Sequence, residues 1–441
     1  MSLTTSRRRF LAGAAATAST AAGIPLLAGC SSDDKQPTGG GGEAAAGLVN
    51  VWGGVPAESG PQDLIDAFHK AYPTITAKYT QFVNDPNGNL KLDTALQGGA
   101  GIDVFFTYSF PNLAKRANAN QMADLTEKVS SDADLKKLAS KTYTPRYDGK
   151  VYALPTVAET SITFVNKDMA AAAGVTVPDS WTVDEFHQAA RKLTNGKTHG
   201  SFSNPSVAVA TLGPDAGYTS SGQANFTAGP WLTEAKLASA MAKDGSSYPE
   251  QQVLSQQLTA YQQNLFLTEK IGLWISGTYN LRFINDLSQY PHKFVTTFAP
   301  QPKPTGADKY WNTGNYDNFI SVAKSSENQD AAWTFVKYWL TTGAKYMYKA
   351  GKLSPLETDT TQATELLLGE QRDKLYDVDA FTRVTFDPAN RLGVPKQFAG
   401  APEIATAQTS QTEQLLLGKI SPQQWVSNMQ KAATSAIAKD S

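Results

Sequence analysis

Leu48-Val49-Asn50-Val51-Trp52-Gly53-Gly54 is the stretch from which the fold is read. A mostly apolar run ends in two glycines, the pattern of a strand handing over to a turn. Downstream, Pro61 suits a first helical turn, Ser59 and Gln62 stand at capping-box spacing, and Leu64, Ile65 and Phe68 share one face. Residues 75–82 read as a second strand, 90–96 as a short helix and 102–106 as a third strand. Strand and helix in alternation predict an α/β layer with a mainly parallel sheet.

The pattern resumes after Tyr152. Residues 162–165, 271–275 and 319–322 read as buried strands. Thr182 with Glu185 predicts a capping box, and Trp181 with Phe186 a hydrophobic staple, for a helix reaching Leu193. A helix carrying Trp333, Val336, Tyr338 and Leu340 follows the last strand. Beyond Gly418, Ser421 and Gln424 restart a helix in which Trp425, Met429 and Ala433 recur every four residues. No internal repeat is present.

The amino terminus carries an address. Ser6-Arg7-Arg8-Arg9-Phe10-Leu11 resembles a twin-arginine export signal, with Ala12 where a lysine is usual. Residues 11–29 hold no charge and end in Leu27-Ala28-Gly29 before Cys30, the only cysteine in 441 residues. This resembles a bacterial lipoprotein signal, so residues 1–29 are expected to be removed and Cys30 to receive lipid. The other reading is an uncleaved membrane span, against which the Ala, Gly and Thr content and Pro25 argue. Residues 30–47, with four consecutive glycines, read as a flexible tether reaching roughly 20–25 Å. The expected location is the outer face of the cell membrane.

Composition excludes several classes. The net charge of −1 becomes −4 once the three leader arginines are removed, so no basic field exists to hold nucleic acid. A lone cysteine permits no intrachain disulfide, and burial must supply stability. His69, His187, His199 and His292 lack metal-ligand spacing, no G-x-S-x-G elbow occurs, and no metal or cofactor is expected. Asn195-Gly196-Lys197-Thr198 ends like a phosphate loop, but Arg191 stands where the earlier glycine is required. Residues 84–89 lack calcium-loop spacing and read as a turn in which Asn87-Gly88 supplies a positive φ. Scattered acids leave a glycosidase pair open.

Several segments, in order, are similar to the extracellular solute-binding proteins of ABC importers, in the sugar-binding family that includes maltose-binding protein. Val49-Asn50-Val51-Trp52-Gly53 resembles its first strand, and Ala67-Phe68-His69-Lys70-Ala71-Tyr72-Pro73 its first helix. The fullest block is Asp148-Gly149-Lys150-Val151-Tyr152-Ala153-Leu154-Pro155, followed by Asn166-Lys167-Asp168. Residues 92–105, 181–194, 272–279, 298–302, 314–320, 331–340 and 417–422 add shorter matches. Residues 201–265 show none.

The resemblance implies an α/β, two-lobed periplasmic-binding-protein-like fold of type II. Its lobes are expected at 48–157 plus 268–315 and at 158–267 plus 316–441, with strands crossing near 156–160, 266–270 and 314–318. A solute is held between lobes that close on it, and closure informs the ABC permease subunits. The implied protein is a monomeric receptor and not an enzyme, taking a mono- or oligosaccharide. Glu159 falls where the family places an acidic ligand contact, and Tyr279 replaces its cleft tryptophan. Trp52 and Glu58 flank the turn after the first strand, and Tyr108 and Ser109 follow the third, at the strand ends where open sheets place ligands. Trp311, Asn312, Asn315, Tyr316 and Asp317 form an aromatic and amide cluster suited to carbohydrate, with Tyr316 matching a family aromatic. Trp231, Trp274, Trp333 and Trp425 read as core, and Arg391 as a salt-bridge partner. The alternatives are a non-sugar solute (a polyamine, an iron complex or a phosphodiester), a secreted glycosidase, or a scaffold lipoprotein with no ligand. Tyr346 and Tyr348, two apart on a predicted helix, face different ways, which disfavours iron.

Overall fold

The computed structural model describes residues 47–140, 144–202, 204–258, 262–356 and 358–440. The expected leader, Cys30 and the tether through residue 46 lie outside the described residues. The strands are β1 (Gly47–Gly53), β2 (Ile75–Gln81), β3 (Val104–Thr107), β4 (Leu154–Glu159), β5 (Ile162–Asn166), β6 (His199–Ser201), β7 (Ile271–Ser276), β8 (Thr296–Pro300) and β9 (Asn315–Val322). They form two sheets, ordered β2-β1-β3-β9-β4 and β6-β7-β5-β8.

The first sheet begins as expected, with β1 parallel to β2 and β3. It is mixed overall, because β9 returns from the second lobe and inserts antiparallel to both β3 and β4. The second sheet is mostly antiparallel, with β5 flanked by β7 and β8 and only β6 parallel to β7. A mainly parallel arrangement therefore describes only the first three strands.

Period-two alternation decides what each strand buries. Val49, Val51 and Phe106 meet Phe68, Phe335 and Trp339 on one face of the first sheet. Phe105, Leu92, Leu113 and Phe319 fill the other, and Trp52 packs there, half-buried. On this side Arg116, fully buried, donates to Asp93 (2.8 Å), Thr107 (2.7 Å) and Asn89 (2.9 Å), fastening the helices Pro86–Gln97 and Phe110–Asn118 to β3. In the second lobe Phe164, Trp274, Phe298 and Phe381 form one core and Trp181, Phe186 and Leu273 another. A further cluster joins Phe226 and Trp231 to Trp425 and Met429 of the last helix, Pro422–Asp440.

Local signals hold in part. Thr182 and Glu185 form the reciprocal capping box, and Trp181 meets Phe186 edge-on at 5.2 Å. Ser421 and Gln424 exchange side-chain to backbone bonds at 3.2 and 2.7 Å. The Ser59 box does not form: Ser59 ends a short 3-10 turn, and Gly60 precedes the helix Pro61–Ala71. Residues 84–89 are not a free turn. Asp85 caps a helix with Pro86 at its first position, accepting from Gly88 N–H at 2.7 Å, so the helix starts four residues early.

The lobe boundaries differ from the expected division. β7 and β8 pair with β5, so 271–300 belongs to the second lobe, whereas β9 and the helix Gln329–Leu340 belong to the first. The chain crosses at 159–161, returns at 312–315, and crosses again at 351–354, where Ala158 N–H donates to Leu353 C=O at 2.9 Å. The crossing expected at 266–270 is internal to the second lobe. Strand pairing between residues more than 100 apart sets these boundaries, and local pattern carries no information on it.

Candidate functional site

A cavity of about 230 Å³ opens where the crossings meet the carboxyl ends of β1 and β3. The first lobe contributes Gly54, Asn84, Tyr108, Asp317 and Asn318; the second contributes Gln262, Gln263, Trp274, Tyr279, Asn280 and Arg282. Glu159 and Lys352 enter from two of the crossings. Amides, charges and aromatic rings thus face one space from both lobes.

Glu159 is 8% exposed at the end of β4, and its position depends on two glycines. A Cβ on Gly277 would lie 1.6 Å from Glu159 Oε1, and one on Gly314 would lie 1.9 Å from the Glu159 carbonyl oxygen. Lys352 Nζ lies 3.8 Å from Glu159 Oε2 and 4.9 Å from the Tyr279 ring centre. Burial raises the Glu159 pKa, and the Lys352 charge opposes that rise. Burial lowers Lys352. Asp317 is pushed up to about 7, first by burial and then by the Glu159 charge. Its carboxylate accepts from Asn318 N–H at 2.6 Å, and Asn318 holds φ +54, a left-handed conformation inside a strand. The Tyr108 hydroxyl accepts from Gly54 N–H at 2.5 Å and, buried, is raised. The Tyr279 hydroxyl lies 3.2 Å from Ser276 Oγ and is raised by burial, then by Glu159.

A second cavity of about 350 Å³ lies beside the 312–315 crossing. Phe110 and Pro111 line it from the first lobe, and Pro214, Tyr218, Trp311, Pro395, Phe398 and Ile404 from the second. Its polar members include Asn315 and Gln397. The Phe398 ring meets Tyr147 at 4.9 Å and Phe110 at 5.9 Å.

Of the residues singled out from sequence, Tyr108, Glu159, Tyr279 and Asp317 share the first cavity, and Trp311, Asn312 and Asn315 line the second. Four line neither. Trp52 points into the core face opposite Val51. Glu58 is exposed on the 3-10 turn Ala57–Ser59. Ser109 caps the helix Phe110–Asn118, its hydroxyl accepting from Asn112 N–H at 3.3 Å. Tyr316, between Asn315 and Asp317, turns to the other face of β9 and is buried. Two of the cavity-lining residues are engaged elsewhere. Asn312 uses its whole amide within the crossings, with Ser161 N–H (2.9 Å), Ser161 C=O (3.0 Å), Gly314 N–H (2.8 Å) and Asn390 (3.2 Å). Trp311 lies against Gly213, and the Arg391 guanidinium sits 4.2 Å from its ring centre rather than in the expected salt bridge.

Sequence reading missed Lys352, Arg282 and Asn318. Arg282 lies three residues past Tyr279 on the helix Leu281–Asn285, close enough to be found by extending the match; Lys352 follows Gly351 with no local signal. Among the described residues no group of three or more His, Cys, Asp or Glu side chains could hold a metal ion, and no helix is long and apolar enough to cross a membrane. His187 pairs with Asp244 at 2.7 Å, and His69 Nε2 accepts from Ala77 N–H at 2.9 Å.

The family model described as bacterial extracellular solute-binding protein matches residues 53–346. No curated protein sequence matches. Solved structures share the fold at low identity. An ABC substrate-binding protein from Listeria monocytogenes in complex with cycloalternan is 20% identical, with TM-score 0.73 over 89% of this chain and 99% of that one. The GacH receptor of Streptomyces glaucescens, solved unliganded and with acarbose, is 21% identical, with TM-score 0.68 over 89% and 99%. A sugar transporter from Rhizobium etli in an open conformation is 20% identical, with TM-score 0.68 over 88% and 100%.

Proposed function

The chain belongs to the bacterial extracellular solute-binding protein family, and on that premise we propose that it is a carbohydrate receptor, lipid-anchored at Cys30, that delivers its solute to an ABC importer. The observation that carries the reading is the first cavity, where Tyr108 and Asp317 of one lobe face Tyr279, Asn280 and Arg282 of the other across Glu159 and Lys352. A sugar needs fixed donors and acceptors for its hydroxyls and flat apolar surface for its C–H faces. Side-chain amides, carboxyls and an ammonium supply the first; the Tyr279 ring supplies the second. A solute touching both walls gains its full set of contacts only when the lobes are closed, so binding selects that state. The cycloalternan and acarbose complexes of the relatives agree with this ligand class.

The cavity favours a receptor over a glycosidase. A hydrolytic pair flanks the scissile bond from two sides. Here Glu159 and Asp317 sit on adjacent strands of one wall, two register positions apart.

The test is a thermal-shift screen over neutral mono- and oligosaccharides with product analysis. A solute at 100 times its dissociation constant should add about 2.7 kcal/mol of stability and be recovered unchanged. Glu159→Gln and Tyr279→Ala should each weaken binding at least about tenfold while the unfolding transition without solute stays cooperative. Loss of neither, or conversion of the sugar, refutes the reading. Anchoring is tested separately: Cys30→Ala should release the protein from membranes and remove the lipid mass.

A further inference from the structure

Glu159 and Asp317 are diagonal neighbours on one face of β4 and β9, since Glu159 stands opposite Asn315 and Val157 opposite Asp317. Such positions bring side chains within reach of each other. Glu159 is buried and Asp317 half-buried, and both border the first cavity. The described residues offer them few contacts: the Asn318 amide at 2.6 Å for Asp317, and the Lys352 ammonium at 3.8 Å for Glu159. Tyr108 from the end of β3, Tyr279, and Arg282 from the helix Leu281–Asn285 complete the titratable and charged surroundings. Lys352 is 3.8 Å from Glu159, and its charge also pulls Asp317 down, yet burial and the Glu159 charge outweigh it at Asp317.

We propose that solute binding here is proton-linked: the closed cavity keeps one proton on the Glu159–Asp317 pair, and a neutral polyhydroxylated solute is held more tightly in mild acid than in mild base. This rests on the carbohydrate reading of the cavity. While the cavity holds water, the second charge is screened. A neutral solute displaces that water, and lobe closure lowers the local dielectric, so the repulsion between two carboxylates grows. Sugar hydroxyls replace water as donors to Glu159 and accept from a protonated Asp317, but they add no counter-charge. The pair therefore binds its proton more tightly with solute than without, and a proton is taken up on binding. A cationic solute would reverse the sign, because its charge favours both carboxylates ionised. The position of the Asp317 carboxyl near neutrality in the free protein puts the effect in an accessible range.

Two measurements decide it. Calorimetry with glucose, maltose, maltotriose, cellobiose, xylobiose and mannobiose, in two buffers of different ionisation enthalpy, should show net proton uptake. Affinity should fall about threefold or more from about pH 6 to about pH 8.5. Asp317→Asn should abolish the uptake. Tight sugar binding without uptake, or with proton release, overturns the inference and leaves the carbohydrate reading standing. Failure of every sugar to bind overturns both. The second measurement needs no solute. Asp317 has a folded pKa above its unfolded one, so the folded state holds the extra proton and stability declines as pH rises from about 4 to about 7. The stability of Asp317→Asn relative to the parent should therefore increase across that window. A constant difference overturns the inference whatever the solute.

Discussion

Replacing Asn312 with alanine tests whether a single amide holds the crossings together. The side chain is 2% exposed and accepts from Ser161 N–H and Gly314 N–H while donating to Ser161 C=O and Asn390. Its backbone N–H also donates to Arg391 C=O at 2.8 Å. Alanine leaves those main-chain groups of the first and second crossings without the partner they have. An orphaned buried group costs about 1–3 kcal/mol. With partial relaxation and some entry of water, the sum is about 3–5 kcal/mol, a large part of the roughly 5–15 kcal/mol that stabilises a domain. The assay is guanidinium unfolding followed by tryptophan fluorescence and, separately, by circular dichroism. Small-angle scattering on the folded protein should also show a broader distribution of lobe separations. Asn312→Asp keeps the acceptor but sets an oxygen against Ser161 C=O, so it should not rescue. A loss below about 1 kcal/mol for Asn312→Ala, with unchanged scattering, would show that water replaces the amide and that the crossings are held by their strands alone.

Two further outcomes follow from the same geometry. Gly277 has φ −97, which any residue adopts, so Gly277→Ala is excluded only by the 1.6 Å approach to Glu159 Oε1; solute affinity should fall more than about tenfold in titration calorimetry with little change in melting, because Glu159 must leave its place. Arg116→Ala removes a fully buried cation and leaves Asp93 with only the half-exposed Lys115 as its ion-pair partner; denaturant unfolding should show a loss of about 3–5 kcal/mol.

The chain's order of strands and helices was legible for a local reason. Alternation in Val49-Asn50-Val51-Trp52, the capping pair Thr182 and Glu185, and the four-residue spacing of Trp425, Met429 and Ala433 each depend on residues within one element. The family blocks added Glu159 and Tyr279, and the structure places both side chains at one cavity. The same reading erred where alternation had to be carried across a strand's faces. Tyr316 drew attention as an aromatic in the cluster, yet Asp317 beside it is the one that reaches the cavity.

What the sequence by itself determined is the class of building block, α/β elements in a recognisable order, because helix and strand signals are short-range. Only the tertiary structure decided that β9 returns between β3 and β4, that Lys352 reaches Glu159 from a crossing 193 positions downstream, and that Asn312 serves the hinge rather than the cavity. Strand register, burial and the meeting of charges are set by contacts between distant segments. They exist only once the chain has closed on itself, and no local window contains them.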